Sequence, residues 1–495
     1  MKTRCVTMVG LLVTCLAVVG FSQDVNRVGP GGGKDGSRKG GNGGDVSIEE
    51  LAKLFRTDVP EHSLDVVLGR PGKRSITASV LSYRDQEGVI EYGNKAGAMT
   101  SKTGAFVLKA GEPTEIEISG LQASQQYFYR LSTRAGDASW SAEPEGRFRT
   151  QRAAGSAFTF TVQADPHLDS SVEPKLLERS MRNCLADSPD FFIDLGDTFM
   201  TDKYRGARSL QSKHYIAQRY YFGLIGHSAP VFLVLGNHDG ETGSPRRQAE
   251  AAWANTMRKK YFPNPIPDGF YSGNEGKHPT LGLLEDYYAW EWGDALFVVL
   301  DPFWFSNDQK GDLWSCTLGE SQYQWMKSTL EGSKAKFKFV FLHHLVGGAT
   351  PEGRGGVEAA PFYEWGGKNQ DGTDGFKERR PGWSMPIHQL LVKNRVSIVF
   401  HGHDHIFAKQ DLDGIVYQEI PQPGNPEKNG SGSIPRSAAE YGYVNGKILG
   451  SPGYMRVTVA PDKVTVALVR SYLPEQENAG HKNASVDYSY EVAVP

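Results

Sequence analysis

The chain has 495 residues, 39% hydrophobic and 11% aromatic, enough for two folded units with a sizeable core. Its formal charge of −3 carries no basic excess of the kind that marks a nucleic-acid or membrane-surface binder. Four cysteines are too few for a disulfide scaffold and argue against thiolate metal ligation.

The chain opens "MKTRCVTMVGLLVTCLAVVGFSQDV". Lys2 and Arg4 precede an apolar segment too short to span a bilayer, so residues 1–23 read as a secretory signal peptide and the protein as secreted or periplasmic. No later segment is long and apolar enough to cross a membrane. Cleavage removes Lys2 and Arg4, taking the charge from −3 to −5, and leaves Cys184 and Cys316, one disulfide at most. Residues 24–62 read as a glycine-rich linker ("GPGGGKDGSRKGGNGGD") followed by a short helix in "SIEELAKLF".

Residues 63–151 alternate in short runs such as "LDVVLG", "SITASVLSY", "GVIEYG" and "QYFYRLST", broken by Gly, Pro and Asn/Asp turns. That spacing predicts a small antiparallel sandwich. The stretch "GLQASQQYFYRLSTR" resembles a fibronectin-type-III strand pair, with Tyr127 or Tyr129 as the anchoring tyrosine. No chemistry is evident in this segment, which reads as a packing or positioning module.

From Ala157 the pattern changes to buried strands: "AFTFTVQA", "FFIDLG", "PVFLVLG", "ALFVVL", "KFKFVFL" and "SIVF". Helical stretches lie between them, including "VEPKLLERSMRNCLAD" and "SQYQWMKSTL". The alternation predicts an α/β domain over 155–475 with its site on strand-end loops. A hairpin turns at Pro461-Asp462, and 476–495 reads as a tail.

Potential metal ligands follow strand after strand. "ADPHLD" offers Asp165 and His167, "DLGDTF" Asp197, and "LVLGNHDG" Asn237 and His238. "FVFLHHLVGG" offers His343 and His344, and "VFHGHDH" offers His401, His403 and His405. Oxygen and imidazole donors without thiolate suit Fe, Mn or Zn.

The order D-x-H, G-D, G-N-H-[DE], lone His, G-H-x-H resembles the calcineurin-like metallophosphoesterase superfamily over roughly 158–409. The resemblance implies an α/β fold: a metallophosphoesterase β-sandwich flanked by helices, here preceded by the fibronectin-III-like all-β sandwich. It implies two metal ions per chain. Asp165, His167 and His405 would hold one, Asn237, His343 and His403 the other, and Asp197 would bridge them. Gly402 is expected to allow the sharp turn that lets His403 and His405 address different ions. A metal-bound hydroxide is the implied nucleophile and His238 the catalytic acid, with Asp239 expected to orient its imidazole. His401 is assigned a supporting or packing role, and His344 a place lining the pocket.

A β-module before such a domain is similar to purple acid phosphatases, but Met200 stands where those enzymes place a tyrosine ligand. The implied activity is hydrolysis of a small phosphate ester, with a phosphomonoesterase expected and a phosphodiesterase or nucleotidase as the alternative on the same core. A binding protein with a dead catalytic domain would lack ligands or His238, and all are present. The insertion 347–383 is expected to shape specificity, with Arg354, Lys368, Arg379 and Arg380 as possible phosphate contacts and none singled out.

Overall fold

The computed structural model describes residues 47–307, 312–350, 352–426 and 435–495. The signal peptide and the glycine-rich stretch lie outside these residues. The expected short helix is Ile48–Lys53, closed by a capping box in which Ser47 Oγ accepts from Glu50 N–H and Glu50 returns the bond to Ser47 N–H. The chain then docks instead of continuing as a spacer. Phe55 stacks on Tyr204 with ring centroids 4.2 Å apart and bridges Asp169 of the "DPHLD" loop.

The alternating runs that follow form a sandwich of two antiparallel sheets. One contains Leu64–Gly69, Ile76–Ser82 and Thr114–Ile118; the other is built around Gln86–Gly93 and Gln126–Arg134. Every second residue of Gln126–Arg134 is buried, the signature of a strand with one face in a core. Of the two candidate tyrosines, Tyr127 bonds within its own module, its hydroxyl accepting from Gln122 N–H. Tyr129 donates instead to His227 O in the following domain.

That second contact belongs to a broad seam. Helix Arg208–Gly226 packs on Leu64–Gly69 and carries Arg219, 0% exposed, into the small sandwich. Its guanidinium donates to Asp65 O, Ser79 O and Oγ, and Tyr261 O. A buried charge persists only where such partners replace water.

The larger domain is two packed sheets. Three short parallel strands, Phe158–Gln163, Phe191–Asp194 and Val231–Leu233, form half of a six-stranded sheet. The eight-stranded sheet has a parallel centre of Ala295–Val299, Phe337–Phe341, Ile398–His401 and Ile415–Glu419. Phenylalanines fill the space between them. The ring of Phe160 lies 5.2 Å from Phe297, 5.8 Å from Phe339, 6.2 Å from Phe341 and 6.3 Å from Phe400, mostly tilted or edge-on, as ring quadrupoles favour. Helices Pro174–Ala186 and Arg208–Gly226 cover the outer face of one sheet, and Gly319–Gly332 and Ile387–Lys393 that of the other. The α/β class and flanked sandwich expected from sequence are what the structure has.

The C-terminus differs from expectation. Residues 476–495 are not a loose tail, because Val486–Ala493 pairs with Lys463–Val469 as the edge strand of the six-stranded sheet. Its Tyr488, Tyr490 and Val492 pack on the phenylalanine core. Cys184 is a buried thiol without a disulfide. Among the described residues no helix is long and apolar enough to cross a membrane.

Candidate metal centre

The parallel strands run the same way, so the loops after them meet at one edge of the sandwich. Two groups of donor atoms form there, Asp165 with His167 and His405, and Asp197 with His343 and His403. Asp197 Oδ2 faces both: it lies 3.7 Å from His167 Nε2 and 3.3 Å from His343 Nε2. Asp165 Oδ1 lies 3.4 Å from His167 Nε2 and 3.3 Å from His405 Nε2.

Three of the four imidazoles, those of His343, His167 and His403, are turned by a bond to the far nitrogen, which fixes the tautomer and aims the other nitrogen inward. His343 Nδ1–H donates to Leu195 O at 2.9 Å, and His167 Nδ1–H to Asp169 Oδ2 at 3.3 Å. His403 is reversed: Nε2–H donates to Glu352 O at 2.8 Å, leaving Nδ1 to face His343 Nε2 at 3.2 Å. Two nitrogens that close need something between them other than a proton on each.

The donor set fits cations. Asp165 Oδ1, His167 Nε2 and Asn237 Oδ1 are buried without a hydrogen-bond partner, and a buried orphan costs about 1–3 kcal/mol unless a ligand satisfies it. Asn237 sits between Gly236, whose absent Cβ would lie 2.3 Å from Asp197 Oδ1, and His238, whose N–H donates to that same oxygen at 2.8 Å. Burial opposes charge on Asp165 and Asp197, yet the surrounding histidines outweigh it and hold both carboxyls well below the usual range. Burial, with His344 and His343 adding to it, keeps the His403 imidazole neutral, as a ligand must be.

Backbone strain is concentrated here. Asp165, Asp197, His403 and His405 have φ of 60°, 55°, 83° and 59°, the left-handed region that costs a side chain energy and persists where surrounding structure enforces it. The expected part played by Gly402 is therefore corrected: its neighbours His403 and His405 make the turns. Gly402 is glycine because a Cβ would stand 2.6 Å from Ala164 Cβ and 2.9 Å from Asp165 Oδ2.

His238 lies beside the two groups, its Nε2 4.0 Å from Asp197 Oδ2 and its side chain 22% exposed. The expectation that Asp239 orients it is overturned. The Asp239 carboxylate accepts from the backbone N–H groups of Gly236, Asp197, Thr198 and Phe199, and so locks two strand-end loops together. Asp202, absent from the sequence reading, takes the imidazole: its Oδ2 accepts from His238 Nδ1–H at 3.1 Å. Met200, with φ 50°, reverses the chain just before it and packs with Phe55 and Tyr204 in place of offering a ligand.

His401 and His344 stay outside both donor groups. His401, 1% exposed, points Nδ1 at Glu419 Oε2 2.5 Å away, and burial lowers its pKa to about 3. His344 packs against Phe303 and His403, with burial first and His343 second bringing its pKa to about 4.

The insertion is occupied structurally. Arg354 Nη1 donates to His403 O and to Asp404 Oδ1, each at 2.9 Å, and its guanidinium lies over Tyr441. Asp404 Oδ2 also accepts from Gly355 N–H and Tyr443 O–H. Arg379 pairs with Asp312 and Arg380 with Glu364, so these three arginines already have acidic partners. Lys368 is exposed.

Comparison with known proteins adds the following. The profile of the family described as calcineurin-like phosphoesterase matches residues 158–407. Among solved structures, the purple acid phosphatase PPD1 from yellow lupin (Lupinus luteus) seeds is similar at 16% identity and a TM-score of 0.57, covering 87% of this chain and 74% of that one. PhoD is similar at 15% identity and a TM-score of 0.59, covering 89% and 91%. At such identity both likenesses speak to the fold. No curated protein matches the chain. Because the family profile spans just over half of the residues and contains both donor groups, the chain belongs to the calcineurin-like phosphoesterase family and is a metal-dependent phosphoric-ester hydrolase.

Proposed function

We propose that the protein is an exported phosphomonoesterase in which His238 is the catalytic acid. The observation that carries this reading is the surroundings of one atom: Asp197 Oδ2 is approached by His167, His343 and His238 from the two donor groups and the acid. Asp165, His167 and His405 would hold one Fe, Mn or Zn ion, Asn237, His343 and His403 a second, and Asp197 both. Ions bound there polarise phosphoryl oxygens and lower the pKa of water enough to supply a nucleophile near neutral pH.

The chain's own groups do the rest. The bond from His238 Nδ1–H to Asp202 fixes the ring's orientation and leaves Nε2 as the atom placed to carry a proton to the leaving alkoxide. Asp239 keeps the loops carrying Asp197 and Asn237 in register through its four backbone bonds. Export is supported by the Lys2/Arg4-plus-apolar N-terminus.

The test is hydrolysis of an aryl phosphate monoester against the matched diester, on protein reconstituted separately with Mn, Zn and Fe, with Asp197→Asn as control. Faster turnover of the monoester supports the assignment. Preference for the diester replaces it with a phosphodiesterase or nucleotidase on the same centre.

A further inference from the structure

Where the small sandwich meets the six-stranded sheet there is a cleft of about 300 Å³, lined by Gln126, Phe128, Arg147, Arg149, Arg152 and Asp190 among others. A second hollow overlaps it at Phe128 and Arg147. Arg147 and Arg149 alternate on strand Gly146–Arg149, so both side chains leave the same face, and Arg152 follows on the connection to the larger domain. Three guanidinium groups thus share one space.

The acid among them is already engaged by three donors. Asp190 takes a two-pronged bond from Arg152, Nε to Oδ2 at 2.6 Å and Nη2 to Oδ1 at 2.9 Å, and a further bond from Trp292 Nε1 at 2.9 Å. Arg149 Nε stays 3.8 Å from Asp190 Oδ1, buried and without a hydrogen-bond partner. Arg147 Nη2 makes a long bond of 3.4 Å to Leu185 O. The other acid, Glu145, accepts from Gly97 N–H at 2.8 Å and lies 3.9 Å from Arg130. Neighbouring groups register the excess of positive charge. Burial and then Arg152 lower the pKa of Arg149, and burial, with Arg147 and Arg182 behind it, lowers that of His227.

The cleft is remote from the metal centre. Asp190 and Ser228 stand just before strands Phe191–Asp194 and Val231–Leu233, whereas Asp197 and Asn237 stand just after them. The two places therefore lie at opposite ends of the same strands.

We propose that this cleft binds a tetrahedral oxyanion of the phosphate class, held by Arg147 and Arg149 from the small sandwich and by Arg152 from the connection. Arginine forks match the oxygen spacing of such an anion and lose little order in binding it. The anion supplies the acceptors that Asp190 cannot, and it ties the small sandwich to the sheet edge. This proposal stands apart from the phosphomonoesterase reading, since it uses no residue of the metal centre.

The test uses the full chain stripped of metal with a chelator. Inorganic phosphate is titrated calorimetrically, and thermal melts are recorded with phosphate against chloride at equal ionic strength. One saturable site that raises the melting midpoint is expected. Arg149→Gln and Arg147→Gln should each weaken phosphate binding at least tenfold, Asp197→Asn should leave it unchanged, and sulfate should displace phosphate. Arg147 is half-exposed and carries the test should Arg149→Gln not fold. Absence of saturable binding to the wild-type protein overturns the proposal. So does undiminished affinity in the arginine variants, or a phosphate that sulfate does not displace.

Discussion

Asp202 Oδ2 and His238 Nδ1 meet at 3.1 Å across 36 residues of sequence, and the backbone follows, with Asp202 N–H donating to His238 O. The left-handed turn at Met200 delivers Asp202 to that position at the head of the 3-10 turn Thr201–Tyr204. Replacing His238 with Ala should lower turnover by about 10²–10⁴ with metal content unchanged. Asp202→Asn should fall in the same direction, since an amide offers Nδ1–H a weaker acceptor and can turn its NH2 toward the ring, loosening the orientation of His238. Asp239→Asn should behave differently and lose metal, because it loosens the loops carrying Asp197 and Asn237. Metal analysis beside steady-state kinetics separates the three.

Metal uptake should depend on pH with a definite sign. Burial lowers an imidazole pKa, but Asp197 and Asp165 outweigh it at His343 and raise the group from 6.5 to about 9. A cation takes only the deprotonated Nε2, so below about pH 9 binding must displace a proton. The apparent affinity of stripped protein should rise with pH by at least about tenfold per unit over that window, more where His167, which Asp165, Asp169 and Asp197 hold raised against burial, must also lose a proton. Titration with a competing chelator, with proton release recorded, checks this.

The insertion and the first loop hold two of the proposed ligands by their far sides. Arg354 fixes the carbonyl of His403 while Glu352 O fixes its ring, and Asp169 fixes His167. Arg354→Ala and Asp169→Ala should each lower metal affinity about 10–100-fold while leaving the fold intact, as measured by chelator competition and circular dichroism.

The small sandwich should not separate from the larger domain without cost. Arg219→Met leaves the carbonyls of Asp65, Ser79 and Tyr261 buried and short of a donor. A loss of about 3–5 kcal/mol is expected from equilibrium denaturation.

Much of this could be read from the chain. The strands after Ala157 announce themselves as apolar runs with polar donors immediately after them, so Asp165, His167, Asp197, His343, His403 and His405, which the structure brings into two groups, can be picked out before any geometry. The contacts behind those residues were not. Asp202 is one polar residue in a short turn, and its use depends on the backbone reversal at Met200, which no periodicity encodes. Asp239 follows His238 in sequence, yet along an extended or turning chain neighbouring side chains diverge, and its carboxylate points to the opposite loop. Arg354 had the charge of a substrate contact, but its partner Asp404 is 50 residues away. Strand Val486–Ala493 was missed because its polar alternation suits an edge strand, half in water, as well as it suits a tail.

The most direct measurement is anomalous diffraction from crystals of the manganese-loaded protein. Two peaks should appear, one against Asp165, His167 and His405, the other against Asn237, His343 and His403, with Asp197 reaching both. A single peak, or two peaks that Asp197 does not share, would contradict the dinuclear centre.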